Sequence, residues 1–200
     1  MPTAIPADRV RQQDLSESYT GIVFDCDGTL TNSMPIHYEA WRATLSVYGI
    51  HFDRERFFNL GGMPGKKIIA LLSGETGKPV DTPAALEQKE KEFLNRMDDL
   101  RTIDWVCEIA RSHHGKIPMA VASGGVRSVI NAQLERLKIA CWFDTVVTSE
   151  DTTEHKPEPE PFLLAAKKLN VDASQCVVFE DSPLGFTAAE KAGMYWVDVR

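Results

Sequence analysis

The chain has 200 residues, 43% of them hydrophobic and 26% charged, with 13 glycines and 11 prolines, a balance that excludes collagen-like, fibrous and disordered chains. Its 29 acidic residues outnumber 22 basic ones, for a formal charge of −7. With no Lys/Arg block, nucleic acid and membrane surfaces are not expected partners. A small anionic substrate stays open, because one lysine and a metal ion reverse the sign of a pocket.

In chain order, residues 1–19 form a polar extension with no apolar stretch of the secretory kind. No later run reaches the length of a membrane span, so a cytoplasmic, monomeric protein is expected. The four cysteines, Cys26, Cys107, Cys141 and Cys176, are widely spaced with no C-x-x-C. Each has apolar neighbours and is read as a small, reduced, buried hydrophobe. Residues 21–24 are a short apolar run of the type a buried parallel strand shows, and similar runs recur at 118–122, 145–148, 176–179 and 195–199. Between them lie helical patterns. Ile103, Val106, Ile109 and Ala110 share one face, as do Val126, Val129, Ile130, Leu134 and Leu137; residues 161–169 form a third. Ser182-Pro183 marks a helix start and Gly193 the residue past its end. This alternation predicts an open parallel α/β sheet. It is interrupted once, by about seventy residues after the first run. They carry helical patterns at 37–48, ending at Gly49, at 66–72 and at 82–97. A small second domain is expected there, hinged near 31–35 and 98–102.

Ligands of doubly wound sheets bind beyond the carboxyl ends of the strands. Those ends deliver Asp25-Cys26-Asp27-Gly28-Thr29-Leu30, Ser123-Gly124-Gly125, Lys156-Pro157 and Glu180-Asp181-Ser182. Asp25, Asp27, Glu180 and Asp181 brought together repel one another unless a cation sits among them. Carboxylate oxygens without His or Cys suit Mg²⁺. Ser123, with N–H groups at a helix start, makes an anion cradle, and Lys156 adds positive charge. Together these describe a phosphoryl-transfer site. One carboxylate attacks phosphorus and a second handles protons.

The four segments, in order, resemble the motifs of the haloacid dehalogenase superfamily over residues 21–199. The helical insert, the stretch from His37 to Trp41, the run from His155 to Phe162 and the pattern from Phe179 to Met194 resemble its β-phosphoglucomutase-like subfamily. The resemblance implies a Rossmann-like core of residues 20–32 and 99–200, with helices on both faces, and an α-helical cap of residues 33–98. It makes Asp25 the nucleophile and a Mg²⁺ ligand, and Asp27 the general acid/base and a ligand through its carbonyl. Asp181 becomes a ligand and Glu180 a ligand or its neighbour, while Ser123, Gly124 and Lys156 hold the phosphoryl group. Superfamily dehalogenases lack the second aspartate, so Asp27 points to phosphate chemistry. The implied substrate is a small phosphomonoester, a sugar phosphate such as fructose 1-phosphate.

A β-phosphoglucomutase sharing this core is the alternative. In that mutase an arginine after the cap's glycine turn grips the distal end of the substrate. The aligned residue here is Gly65, followed by Lys66 and Lys67, and a flexible ammonium does not reproduce the bidentate fork. His37, Gly62, Lys66, Lys67 and Lys89 are the cap candidates for substrate contact, and Trp41 is expected in the cap core. A receiver-type phospho-switch is disfavoured by Asp27 and the insert. The other histidines, His51, His113, His114 and His155, are expected to be structural, and the acidic stretch 150–160 a solvated loop.

Overall fold

The computed structural model describes residues 3–11, 14–61 and 63–200. Strands β1 (Gly21–Phe24), β2 (Met119–Ala122), β3 (Thr145–Val147), β4 (Cys176–Glu180) and β5 (Tyr195–Asp198) form one parallel sheet in the order β3-β2-β1-β4-β5. The parallel α/β expectation is met at all five runs. Their ends shift by a residue for simple reasons. Pro118, for instance, has no N–H to give the ladder and contributes only its carbonyl, which accepts from Ile22 N at 3.1 Å.

β1, β2 and β4 are buried throughout, so alternate residues feed two cores. One joins Ile22, Phe24, Val121 and Phe179 to α6 (Asp104–His113) and α7 (Arg127–Arg136). The other joins Val23, Ala120 and Val178 to α8 (Glu160–Leu169) and α9 (Pro183–Lys191). Ser182 starts α9 as expected, its hydroxyl accepting from Gly185 N at 3.1 Å.

Between β1 and α6 lie α2 (Met34–Val47), α3 (Arg54–Asn59), α4 (Gly65–Thr76) and α5 (Thr82–Leu94). They enclose an apolar cluster of their own, built on Trp41, Leu45, Phe52, Phe57, Ile69 and Leu72. α2 begins earlier than its apolar periodicity suggests, because Pro35 fits the first turn, and it stops at Gly49, where φ is +67°. α5 ends at Leu94 and gives way to a short 3-10 turn, Met97–Asp99. The six-residue α3, which no periodicity announces, starts where Asp53 accepts from Arg56 N at 2.8 Å.

The leading segment also folds onto the sheet. Its helix α1 (Ala7–Val10) buries Val10, and Leu15 is buried with it among the β1 and α6 side chains. Ile5 N donates to Trp196 O at 2.7 Å, and Ala4 forms a bridge with Trp196, so this segment runs along β5. His113 is buried and accepts Leu15 N at 3.0 Å through Nε2, the structural role expected of it. Cys26, Cys107 and Cys176 are buried as expected, whereas Cys141, on a 3-10 turn, is exposed.

Candidate active site

The chain order places β1 between β2 and β4, where successive strands diverge to opposite sides, and this is where a doubly wound sheet opens a crevice. Pairing of Phe24 with Phe179 sets Asp25 beside Glu180, and Asp25 N donates to Phe179 O at 2.9 Å. Lys156 comes in from the loop after β3. Its Nζ lies 2.7 Å from both Asp25 Oδ1 and Glu180 Oε2 and 4.8 Å from the Phe162 ring centre. It is buried behind the carboxylates and does not form part of the cleft wall. Glu180 Oε1 in turn accepts Asp181 N at 3.1 Å, Ser182 N at 3.0 Å and Ser182 Oγ at 2.9 Å. Glu180 is thus the pivot that clamps the lysine and the start of α9 at once.

Burial, reinforced by the charge of Glu180, pushes Asp25 up to about 8 and Asp181 up to about 9. Burial opposes the Lys156 charge, but Asp25 and Glu180 overcome it and hold the ammonium above its ordinary range. One ligand oxygen from each of Asp25, Glu180 and Asp181 lies within 4.8 Å of the others. These three buried or half-buried carboxylates and one lysine form a net anionic nest that a divalent cation neutralises. An all-oxygen donor set fits a hard ion of the Mg²⁺ type. The backbone is shaped around these groups. At Gly28, where φ is +87°, a Cβ would fall on the Asp181 carboxylate. At Gly185 it would fall on that of Glu180.

Asp27 sits in a different field. Its Oδ1 receives Ser33 Oγ at 2.7 Å, His37 Nε2 at 2.8 Å and Gln133 Nε2 at 2.8 Å. Burial opposes its charge, but His37 and these donors hold the carboxyl well below its ordinary range. His37 is stacked on Phe93 with ring centres 4.1 Å apart. Burial, then the nearby Lys89 charge, lowers its proton affinity. The other oxygen, Oδ2, lies 3.4 Å from Ser123 Oγ.

Two sequence readings change here. Ser123 was expected beside a helix start, yet α7 begins only at Arg127. Ser123 Oγ accepts Gly125 N at 3.0 Å within the Gly124–Gly125 turn, and the Arg127 N–H is taken by Glu150 at 2.7 Å. Any anion cradle is therefore the loop itself. Nor is the acidic stretch merely solvated. Asp151 accepts Thr148 N at 2.7 Å and pairs with Arg127, and Glu160 accepts Thr153 N at 3.1 Å and Glu154 N at 2.6 Å.

Above these groups lies a cleft of about 480 Å³, shared between the strand ends and the helical insert. Asp25, Asp27, Ser123, Gly124, Glu180 and Asp181 line its floor. His37, Lys66 and Lys89 line its wall with Trp41, which belongs to the insert's apolar cluster as well. Lys89 is buried, with Nζ 5.6 Å from the Trp41 ring centre and 3.3 Å from Glu90 Oε1. Lys67 is not part of the wall; it is exposed on α4, one residue round from Lys66. Gly62 lies outside the described residues. Sequence reasoning missed Ser33, Gln133, Glu90 and Glu150, and His155 lines the cleft where only a loop-positioning role was expected. Gln133 alone carried a signal, as an amide among the apolar positions Val129, Ile130 and Leu134 of α7.

The sequence model of the haloacid dehalogenase-like hydrolases matches residues 22–199. The chain belongs to this family. It is similar to the fructose-1-phosphate phosphatase YqaB of Escherichia coli, 38% identical over 92% of this chain and 98% of that one. It is also similar to the validoxylamine A 7′-phosphate phosphatase of Streptomyces hygroscopicus subsp. limoneus, 32% identical over 90% and 84% of the two chains. Among solved structures it resembles a β-phosphoglucomutase from Clostridium difficile, with a TM-score of 0.81, 25% identity and coverage of 90% and 84%. The chain is accordingly a hydrolase with the Rossmann-like core of this family. Among the described residues no helix is long and apolar enough to cross a membrane.

Proposed function

We propose that this protein is a Mg²⁺-dependent phosphatase that hydrolyses a small phosphomonoester, a sugar phosphate such as fructose 1-phosphate, through a phosphorylated Asp25. The observation that carries the reading is the pair of aspartates two residues apart in opposite electrostatic states. Asp25 is clamped by Lys156 among carboxylates, while Asp27 is clamped by the Ser33, His37 and Gln133 donors with one oxygen facing the cleft. A nucleophile and a proton carrier need such a division of labour. The relative named for fructose 1-phosphate, at 38% identity over nearly its full length, supports the sugar-phosphate class.

In the first step an Asp25 carboxylate oxygen attacks phosphorus and the bond to the sugar oxygen breaks. Asp27 gives that oxygen a proton from Oδ2. Asp27 rests as the carboxylate, and the arriving phosphate dianion favours its protonation by like charge. In the second step Asp27 takes a proton from water, whose oxygen attacks phosphorus. The bond to Asp25 breaks and orthophosphate leaves. Ser123 and the Gly124 N–H hold the phosphoryl oxygens, while Lys156, clamped to Asp25 from behind, lends its positive charge to the reacting group. Asp25, Asp181, the Asp27 carbonyl and the free lone pair of Glu180 Oε2 would hold Mg²⁺, which supplies charge neutralisation for the approaching phosphate. The insert, residues 33–98, acts as a cap that closes over the site and excludes bulk water.

The mutase alternative loses support at Gly65. A Cβ there would come within 2.7 Å of Leu86 Cδ2 and 3.4 Å of Trp41, so a longer side chain at this position fits only if Leu86 moves. The deciding assay offers fructose 1-phosphate and β-glucose 1-phosphate with Mg²⁺, following free phosphate and sugar-phosphate isomers together. Prompt phosphate release, abolished by EDTA, is the expected result. Glucose 6-phosphate appearing with little free phosphate would establish the mutase instead.

A further inference from the structure

Gln133 is fully buried on α7, where Val129, Ile130 and Leu134 occupy the neighbouring inward positions. An amide in such a place is costly unless both ends are bonded, and both are. Thr31 Oγ1, whose one proton faces both Gln133 Oε1 at 2.8 Å and Cys26 O at 3.1 Å, donates to the nearer Gln133 Oε1, and Gln133 Nε2 donates to Asp27 Oδ1 at 2.8 Å. The orientation follows from chemistry, since a carboxylate only accepts and the Thr31 hydroxyl is able to donate.

Asp27 Oδ1 has three donors on it. Ser33 immediately precedes α2 and His37 lies within it, so both are carried by the helical insert. Gln133 belongs to a helix packed on the sheet beside Ile22, Phe24 and Val121. Three donors saturate an sp² oxygen, which confines proton transfer to Oδ2, the oxygen facing Ser123.

We propose that Gln133 is a positioning residue that holds the Asp27 carboxylate from the sheet side. It keeps Oδ2 aimed at the reacting oxygen whether or not the insert is closed. The amide, in turn, is oriented by Thr31, at the start of the expected hinge. This inference rests on the reading of Asp27 as proton carrier given above. It adds that the water step retains its base while the cleft is open.

The test is steady-state hydrolysis by Gln133→Met, which keeps length and volume but loses the donor. The expected result is a fall in kcat of about tenfold or more with KM within about twofold, the pattern of an interaction made in the transition state. Thr31→Val, which removes the orienting hydroxyl without touching Asp27, should lower kcat by about threefold in the same manner, and it decides the matter if Gln133→Met does not fold. A second readout needs neither metal nor substrate. In ¹⁵N–¹H spectra, the side-chain amide pair that disappears in Gln133→Met should be displaced in Asp27→Ala. Unchanged kcat in either folded variant, or an unmoved amide pair, overturns the inference. Asp27→Asn separates the two levels. If it retains full activity, the proton-carrier reading fails and Gln133 with it. If it is inactive while Gln133→Met matches the wild type, only the role of Gln133 fails.

Discussion

The floor and the wall of the cleft are built on different principles. On the floor the charges are tied to neighbours by short hydrogen bonds: Lys156 to Asp25 and Glu180, Glu180 to the start of α9, Asp27 to α7. The wall is chiefly the apolar face of the insert, with Trp41, Leu60, Ile68 and Leu86 in view, and its charges are few and loosely paired. Parallel register fixes the floor to within a bond length. The wall is set by how four helices pack among themselves, which leaves it free to change without disturbing the chemistry. Relatives in this family are named for different phosphate esters, which fits a fixed floor beneath a variable wall.

The largest expected effect breaks the floor alone. Asp25→Asn should lower phosphate release by more than about 1000-fold, since no other group on the floor stands where it attacks. Its melting temperature should fall by only a few °C, because Glu180 stays 2.7 Å from Lys156 Nζ and keeps that ammonium paired. Substantial residual turnover would remove Asp25 from the nucleophile role.

A middle-sized effect contrasts the two buried lysines. Lys156→Met leaves two buried carboxylates uncompensated, a loss of about 3–5 kcal/mol, or about 6–20 °C for a chain of this size. Lys89→Met removes a contact to Glu90, whose side chain is 23% exposed, and the ammonium's approach to the Trp41 and Phe93 rings, and should cost less, about 1–2 kcal/mol. Differential scanning calorimetry compares them directly. Equal losses would mean that floor and wall are equally locked.

The smallest effect concerns discrimination. Glu90 faces the cleft with its charge only partly offset by Lys89, and in the proposed reaction it would face the distal end of a substrate whose phosphate is on the floor. Glu90→Gln should therefore raise kcat/KM for a bisphosphate relative to a monophosphate by about fivefold, roughly 1 kcal/mol of relieved repulsion. An unchanged ratio would place the distal end elsewhere.

How far each region was legible in the sequence follows the same division. The floor residues stand at the ends of apolar runs, so their convergence is visible once the runs are read as parallel strands. The spacing D-x-D after the first run carries its own chemistry. On α5, by contrast, Glu87, Glu90 and Glu92 look alike, and only packing of α5 against α2 decides which one faces the cleft. Ser33 and Gln133 act through a carboxylate far away in sequence, Gln133 by 106 positions, a separation no local pattern reports. The leading segment was read as polar because Val10 and Leu15 are isolated among charged and amide residues. Their burial depends on a surface made by β1 and α6.

β5 is an outer strand of the sheet, and such a strand offers its unpaired backbone to any other chain that approaches. Here Ala4 and Ile5 lie along it and take the Trp196 carbonyl at 2.7 Å. The segment thus covers part of that open edge. A chain trimmed to begin at residue 11 would keep the whole catalytic floor yet expose a sticky edge, and its colloidal behaviour in concentrated solution, ahead of its turnover, would reveal the loss.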